Sequence, residues 1–406
     1  MRSLMLTIEG NIVNKDKTFR GRVEIGDDGL ISSVSKETGK ADIVLNQELI
    51  FPGFVDLHVH AREDASHKED YKEDFATAGE AAINGGVAAF AEMPNNPVPP
   101  IDGESYLQKQ TLAKKSKADV ILYAMITPNS NPLSFPVPYK AFTSKSVGDL
   151  FFNNYASLDE ALKIYQGQSV SFHCEDPEIL EKNQNQATHE LRRPAEGEIA
   201  AIKSVLALIE KYQIKGKICH VSTKEGLQKI VDAKNKGINV VCEVTPHHLY
   251  FNEAMHLQVN PPLRGVEDCL ALIEGLRAGS IDFLATDHAP HTIEERDKAI
   301  SGLPHLDTFG PFTTWLMREH KFTPSNIARV CSFNPGQFIN QFINIKYGKI
   351  EAGFTGCLTI VDPNKPITIH KSQLKTKCGW SPFEGLEFPG RVIYTIIKGK
   401  VYKNGA

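Results

Sequence analysis

The pattern of apolar and polar positions divides the chain into two β-rich ends and a different middle. Near both ends, as at residues 4–8, 30–34 and 391–401, apolar and polar residues alternate in short runs that Gly and Asp separate. Such alternation is typical of half-buried antiparallel strands and not of helices. We therefore predict that residues 1–50 and 350–406 together form one small β-sheet domain, a β-sandwich.

The middle, residues 51–349, alternates between apolar runs and amphipathic stretches. The stretches at 75–84, 196–212 and 225–235 are predicted helices, and the apolar runs are predicted buried strands. The runs lie at 49–60, 87–93, 120–126, 137–142, 170–174, 217–221, 240–244 and 283–288. Eight βα units favour an α/β fold of the (β/α)8 type, a TIM barrel, over an open doubly wound sheet.

His58 and His60 lie in the first of these predicted strands. Alternate side chains of a strand share a face, so the two imidazoles point the same way, and Arg62 leans back toward them at the end of the strand. Two neutral imidazoles on one rigid element supply half of a transition-metal site. A His-x-His pair also arises by chance on a polar strand face, so the pair alone does not establish a metal.

Polar residues also close most of the other predicted strands. They are Asn95, Lys140, His173, His220, the pair His247-His248, and Asp287-His288. In a TIM barrel the carboxyl ends of the strands meet at one mouth, where the active site lies. Four histidines (58, 60, 173 and 220), Asp287 and Lys140 would converge there, and we predict a metal site. His247 and His248 lie in a loop beyond the seventh strand, and we predict structural roles for them.

This ligand set exceeds the three protein ligands of a mononuclear catalytic zinc. Two divalent cations that share a bridging hydroxide would use all of it, and their chemistry would be hydrolytic. Asp287 is then the natural general base and, later, general acid. A buried Lys140 ammonium beside two cations is disfavoured. Two interpretations stay open: a surface lysine on a poorly predicted strand, or an amine that has combined with carbon dioxide to give a bridging carbamate.

Composition narrows the class of protein. Hydrophobic residues make up 41% and charged residues 23%, as in ordinary soluble proteins, and a net charge of −4 argues against a nucleic-acid binder. We predict no membrane span and no signal peptide. The seven cysteines are scattered without a Cys-x-x-Cys pair, which favours reduced thiols in the cytoplasm.

Several motifs resemble those of one enzyme family. The segment PGFVDLHVHAR (52–62) is similar to the amidohydrolase superfamily, and further segments narrow the resemblance to the dihydroorotases. They are EMPNN (92–96), CEVTPHHL (242–249), NPPLR (260–264), TDHAPH (286–291) and SPFEG (381–385). The resemblance covers nearly the whole chain. It implies reversible cyclisation of N-carbamoyl-L-aspartate to L-dihydroorotate, a step of pyrimidine biosynthesis.

The resemblance also implies roles for single residues. His58, His60 and Asp287 would bind one Zn²⁺, His173 and His220 the other, and a carboxylated Lys140 would bridge them. Arg62 and Asn95, with His291 beside them, would hold the substrate carboxylate, and Asn260 would bond the ring amide. A guanidinium fork suits a carboxylate. Without the resemblance, Asn95 could equally be a turn residue after Pro94.

The resemblance does not decide the protein partners of the chain, and related functions have to be weighed against the dihydroorotase activity. It is compatible with a homodimer and with an association with aspartate carbamoyltransferase. Hydantoinases and allantoinases share the binuclear site, but Arg62 favours a substrate with a carboxylate. A non-catalytic subunit that only scaffolds a carbamoyltransferase would be expected to lose metal ligands, whereas every ligand position is filled here.

Some positions depart from the usual dihydroorotase pattern. They are Ala61, residues 63–65, residues 87–89, His305 in place of Gly, and Asp307 in place of Glu. The lysine motif, YKAF (139–142), is the weakest of the ligand matches. We expect these departures to affect loops near the substrate.

Overall fold

The N-terminal strands form part of a mixed sheet. The structure, a computed structural model, describes residues 4–37, 39–144 and 151–404. Its first strands are β1 (Leu4–Val13), β2 (Thr18–Gly26), β3 (Ile31–Ser35) and β4 (Ile43–Pro52). β2 is antiparallel to both β1 and β3, whereas β1 runs parallel to β4. The alternation at the start of the chain thus folds as predicted.

The next strands form the barrel. They are β5 (Phe54–Val59), β6 (Val87–Glu92), β7 (Asp119–Leu122), β8 (Ala124–Met125), β9 (Tyr139–Phe142), β10 (Ser169–His173), β11 (Lys215–Ile218), β12 (Val240–Val244) and β13 (Phe283–Leu284). β7 pairs with β6 and β8 pairs with β9, so these two short strands, separated by Tyr123, together occupy one barrel position. All neighbouring pairs are parallel. The barrel closes where the His60 amide donates to the His288 carbonyl at 2.8 Å.

Helices follow most of the barrel strands. They are α1 (Phe75–Asn84), α2 (Gly103–Ala113), α3 (Tyr155–Leu162), α4 (Pro177–Asn183), α5 (His189–Arg192), α6 (Ala195–Tyr212), α7 (Lys224–Asn235), α8 (Pro246–Tyr250), α9 (Val266–Ala278), α10 (Ile293–Asp297), α11 (Phe309–Glu319), α12 (Pro324–Ala328) and α13 (Asn334–Ile339). The three helices that we predicted are confirmed as α1, α6 and α7. α1 begins after Asp74 because that carboxylate accepts the Thr77 amide at 2.8 Å.

The C-terminal strands complete the N-terminal sheet. They are β14 (Leu358–Asp362), β15 (Ile367–Thr368), β16 (Glu387–Phe388), β17 (Arg391–Ile397) and β18 (Lys400–Lys403). β14 pairs with β4, giving one seven-stranded sheet in the order β18-β17-β14-β4-β1-β2-β3, while β15 and β16 pair separately. The β-rich domain built from both termini is therefore confirmed. Its division from the barrel at residues 50 and 350 stays a prediction.

One glycine joins the sheet to the barrel. Gly53 alone separates β4 from β5. A Cβ atom at this position would lie 2.7 Å from the Cβ of Ala88, so only glycine fits between the two layers. Within the described ranges, no helix is both long and apolar enough to cross a bilayer. All seven cysteines are free thiols, as predicted.

Candidate active site

The predicted metal ligands lie at the carboxyl ends of the barrel strands. His58 is in β5 and His60 follows it, His173 ends β10, and His220 and Asp287 come just after β11 and β13. These five residues line one cavity. The same cavity is lined by Arg62, Asn95 and Asn260, three of the four predicted substrate contacts.

Backbone turns direct three of these side chains. The backbone adopts the left-handed conformation, which residues other than glycine rarely occupy, at Arg62 (φ 63°), His220 (φ 35°) and Asp287 (φ 48°). Such conformations concentrate at functional sites, where the surrounding structure holds them. Asp56, buried below the cavity, accepts the amides of Thr286 (3.0 Å) and His58 (3.1 Å) and thereby fixes two of the strand ends relative to each other.

Possible ligand atoms meet in two groups. In the first, Oδ1 of Asp287 lies 3.2 Å from Nε2 of His58 and 3.1 Å from Nε2 of His60. In the second, Nδ1 of His173 lies 3.0 Å from Nε2 of His220. The ligand atoms of a tetrahedral zinc site with bonds of about 2.0–2.1 Å lie about 3.3 Å apart. The three measured separations are close to this value. His58, His220 and Asp287 also form one group whose ligand atoms all lie within 4.8 Å of one another, so His58 and His220, with rings 5.3 Å apart, connect the two groups.

Burial controls the protonation of these groups. It lowers the pKa of His58 to about 3 and also lowers the pKa values of His60, His173 and His220. The imidazoles are therefore neutral, which is the form that binds metals. From the protein groups alone, burial raises the pKa of Asp287 to about 8. A cation that binds Asp287 near neutral pH must therefore displace a proton.

Lys140 is fully buried in β9 and is not a surface lysine. Its Nζ atom lies 2.9 Å from Sγ of Cys219. Among the residues that the structure describes, no carboxylate lies within ion-pair distance of this Nζ atom. A buried ammonium without an anionic partner is costly in free energy.

Arg62 is also buried without an anion. Its guanidinium donates to the carbonyl of Pro290 (3.3 Å) and to Nε2 of His291 (3.2 Å), and no carboxylate of the described part of the chain forms an ion pair with it. His291 in turn donates from Nδ1 to Glu295 at 3.2 Å. His291 is thus placed behind Arg62 and does not line the cavity. Arg62 offers a buried positive charge at the mouth of the barrel.

Two asparagines flank this charge. The Oδ1 atoms of Asn95 and Asn260 are buried and accept no hydrogen bond from any described residue. Buried polar atoms without partners are uncommon in folded proteins. Both amide oxygens are therefore available to a polar ligand in the cavity.

Two carboxylates beside the predicted metal ligands were missed by the sequence analysis. Glu243 in β12 contacts Nδ1 of His58, and Glu175 accepts from Nε2 of His173 at 2.8 Å. Both are buried. Glu243 carried a signal that could have been used, because it is a charged residue inside an apolar strand.

The departures from the family pattern do not line the cavity. Asp64 accepts the amides of Ser66 (2.7 Å) and Val98 (2.8 Å), so it links two loops. Asp307 accepts the Lys375 amide at 2.8 Å. These side chains therefore hold loops, and their effect on the loops near the substrate stays a prediction.

His305 and the histidine pair are also outside the cavity. His305 Nε2 lies 2.9 Å from His247 Nδ1, and the two rings stack. His248 is held by Thr245 (2.8 Å) and by the Pro261 carbonyl (3.1 Å). These contacts agree with structural roles for His247 and His248.

Comparisons with known proteins agree with this architecture. Residues 49–132 and 153–402 match the amidohydrolase family, a match that leaves out the segment containing Lys140. The chain therefore belongs to the amidohydrolase family, whose members are generally metal-dependent. Within that family it groups with the cyclic amidohydrolases, and by its full-length relatives with the dihydroorotases.

The relatives found by sequence are dihydroorotases, whereas the similar solved structures are hydantoinases. Dihydroorotase of Pyrococcus furiosus is 33% identical over 406 residues, covering 98% of this chain and 92% of the relative. Dihydroorotase of Halalkalibacterium halodurans is 33% identical, covering 97% and 96%. The L-hydantoinase (dihydropyrimidinase) structure from Arthrobacter aurescens has a TM-score of 0.90 at 23% identity, covering 100% of this chain and 96% of that one. The similarity to solved structures establishes the barrel fold, whereas the sequence relatives place the chain with the dihydroorotases.

Proposed function

We propose that this enzyme interconverts N-carbamoyl-L-aspartate and L-dihydroorotate at a binuclear metal site, with Arg62 holding the substrate carboxylate. The observation that carries the proposal is the buried Arg62 guanidinium, which has no carboxylate partner among the described residues and lies in the same cavity as two groups of metal-ligand atoms. A ring without a carboxylate, such as a hydantoin, would leave this charge buried and unpaired.

The donor set fits two zinc ions. His58, His60 and Asp287 would hold one, and His173 and His220 the other. Two bound dications would make a water acidic and polarise the amide carbonyl of the substrate. Lys140 would bridge them as a carbamate, in which its neutral amine has bonded to carbon dioxide and released a proton. The burial of Lys140 without an anionic partner in the described chain supports this modification.

The protein side chains then divide the reaction between them. In hydrolysis, Asp287 accepts a proton from the attacking water and passes it to the departing ring nitrogen. In cyclisation, Asp287 removes a proton from the carbamoyl nitrogen as this nitrogen attacks the side-chain carboxyl, and passes the proton to the carboxyl oxygen that leaves as water. Arg62 and Asn95 hold the other carboxylate, His291 supports Arg62, and Asn260 bonds the ring amide.

The metal site gives the first prediction. Protein loaded with zinc and then desalted should contain two zinc ions per chain by elemental analysis and should cyclise N-carbamoyl-L-aspartate. Removal of the metal by a chelator should abolish this activity, and added zinc should restore it. Fewer than one zinc per chain, or full activity after chelation, would contradict the proposal. Electron density at Lys140 in a crystal structure would test the carbamate.

The remaining expectations concern the setting of the enzyme. A cytoplasmic location stays a prediction, which the seven free cysteines support. A homodimer and an association with aspartate carbamoyltransferase stay predictions.

A further inference from the structure

A buried lysine–glutamate pair stands directly behind one predicted metal ligand. Nζ of Lys217 in β11 lies 2.6 Å from Oε2 of Glu243 in β12, and both side chains have an exposed fraction of 0%. The other oxygen of Glu243, Oε1, contacts Nδ1 of His58. Lys217 also donates to the Leu57 carbonyl at 3.4 Å. Lys217, Glu243 and His58 thus form a continuous chain of contacts across three barrel strands.

A buried pair of this kind needs a reason other than stability. Removing two charges from water costs several kcal/mol per ion, and apolar residues of similar volume often replace such a pair without loss of stability. Here the carboxylate uses one oxygen for the lysine and the other for the imidazole. Glu243 therefore makes two contacts that an apolar residue could not make.

We propose that Glu243 positions His58 for metal binding and that Lys217 holds Glu243 in place. As an acceptor at Nδ1, Glu243 selects the His58 tautomer that carries its lone pair on Nε2, the atom that faces Asp287. The negative charge behind the ring also makes Nε2 a stronger ligand. The inference rests on the metal centre of the proposed function but not on the identity of its substrate.

The second group of ligands has its own support. His173 donates from Nε2 to Glu175 at 2.8 Å, and Glu175 is paired with Arg193 at 2.6 Å. This leaves Nδ1 of His173 facing His220. Because the two carboxylates serve different ligand groups, loss of Glu243 should weaken one metal position and leave the other intact.

The test removes the whole pair, so that no uncompensated charge is left behind. The double variant Lys217→Met/Glu243→Leu replaces both charges with apolar side chains of similar size. A matched control, Lys109→Met/Glu92→Leu, removes another buried pair, whose charged atoms lie 2.7 Å apart and contact no predicted metal ligand. Zinc affinity of each purified protein is measured by competition with a chromophoric chelator, and thermal unfolding is recorded for each.

We expect the first double variant to fold and to bind one zinc ion as the wild type does, with affinity for the second reduced 10- to 100-fold, the effect typical of lost support for a metal-bound histidine. The control should retain both affinities. Unchanged affinity in Lys217→Met/Glu243→Leu would overturn the inference and leave the proposed function intact, and so would an equal loss in both double variants. Failure of the wild type to bind zinc would instead contradict the proposed metal centre.

Discussion

Replacing Asp287 with Asn should slow both directions of the reaction by at least about a hundredfold, the usual effect of losing a general base. Oδ1 of Asp287 lies within 3.2 Å of Nε2 of both His58 and His60, so the same carboxylate is placed to bind a cation and to move a proton. Steady-state rates of hydrolysis and cyclisation, measured on samples of known zinc content, check this result. A zinc-replete Asp287→Asn variant with near wild-type rates would show that the proton follows another route.

The pH dependence of the wild type should follow from the same residue. Burial alone raises the pKa of Asp287 to about 8, but two adjacent dications favour the ionised carboxylate and lower that pKa. Hydrolysis needs the ionised form, so its rate should fall as the pH decreases through the lowered pKa. Cyclisation also uses the ionised carboxylate as its base, but the overall conversion of the dicarboxylate substrate to dihydroorotate and water takes up one proton, so cyclisation should be favoured at lower pH. Measuring the rates of hydrolysis and of cyclisation by zinc-loaded enzyme as a function of pH would show whether the two directions have opposite pH dependences.

Arg62→Lys should raise the KM for dihydroorotate roughly 10- to 100-fold, which corresponds to the loss of one charge-assisted hydrogen bond of about 1.5–3 kcal/mol. Lysine keeps the charge but cannot reproduce the two-pronged contact of a guanidinium with a carboxylate. The zinc content should be unchanged, because Arg62 contributes no ligand atom. Steady-state kinetics with elemental analysis of the same samples measures both quantities.

A matched arginine provides the control for this substitution. Arg329 donates to the carbonyls of Leu276 and Arg277, each at 2.8 Å, and does not line the cavity. Arg329→Lys should leave the KM unchanged. If Arg62→Lys has the kinetics of the wild type, Arg62 does not hold the substrate.

The sequence predicted the barrel and most of the cavity because both depend on local patterns. Apolar runs marked all eight barrel positions, and His58 and His60 share a side because alternate residues of a strand do so. Lys140 was ambiguous because its short strand follows Pro138 and pairs with its neighbours over only a few residues.

Contacts between strands could not be predicted in the same way. Glu243 contacts His58, which is far away in the chain, because the closed barrel brings their strands together. Glu175 contacts His173 because the chain turns after β10. The position of His291 behind Arg62 likewise depends on the path of the loop after β13. For Asp64, the sequence indicated a loop, but its contacts with the amides of Ser66 and Val98 depend on how two loops meet.

The preference of the wild-type enzyme between two rings tests the central claim most directly. L-Dihydroorotate and 5,6-dihydrouracil share the ring amide, but only the first has a carboxylate for Arg62. If the buried Arg62 guanidinium selects the substrate, kcat/KM for hydrolysis of dihydroorotate by the zinc-loaded enzyme should exceed that for dihydrouracil by at least about a hundredfold, because the neutral ring leaves a buried charge unpaired. Equal values, or faster hydrolysis of dihydrouracil, would contradict the account.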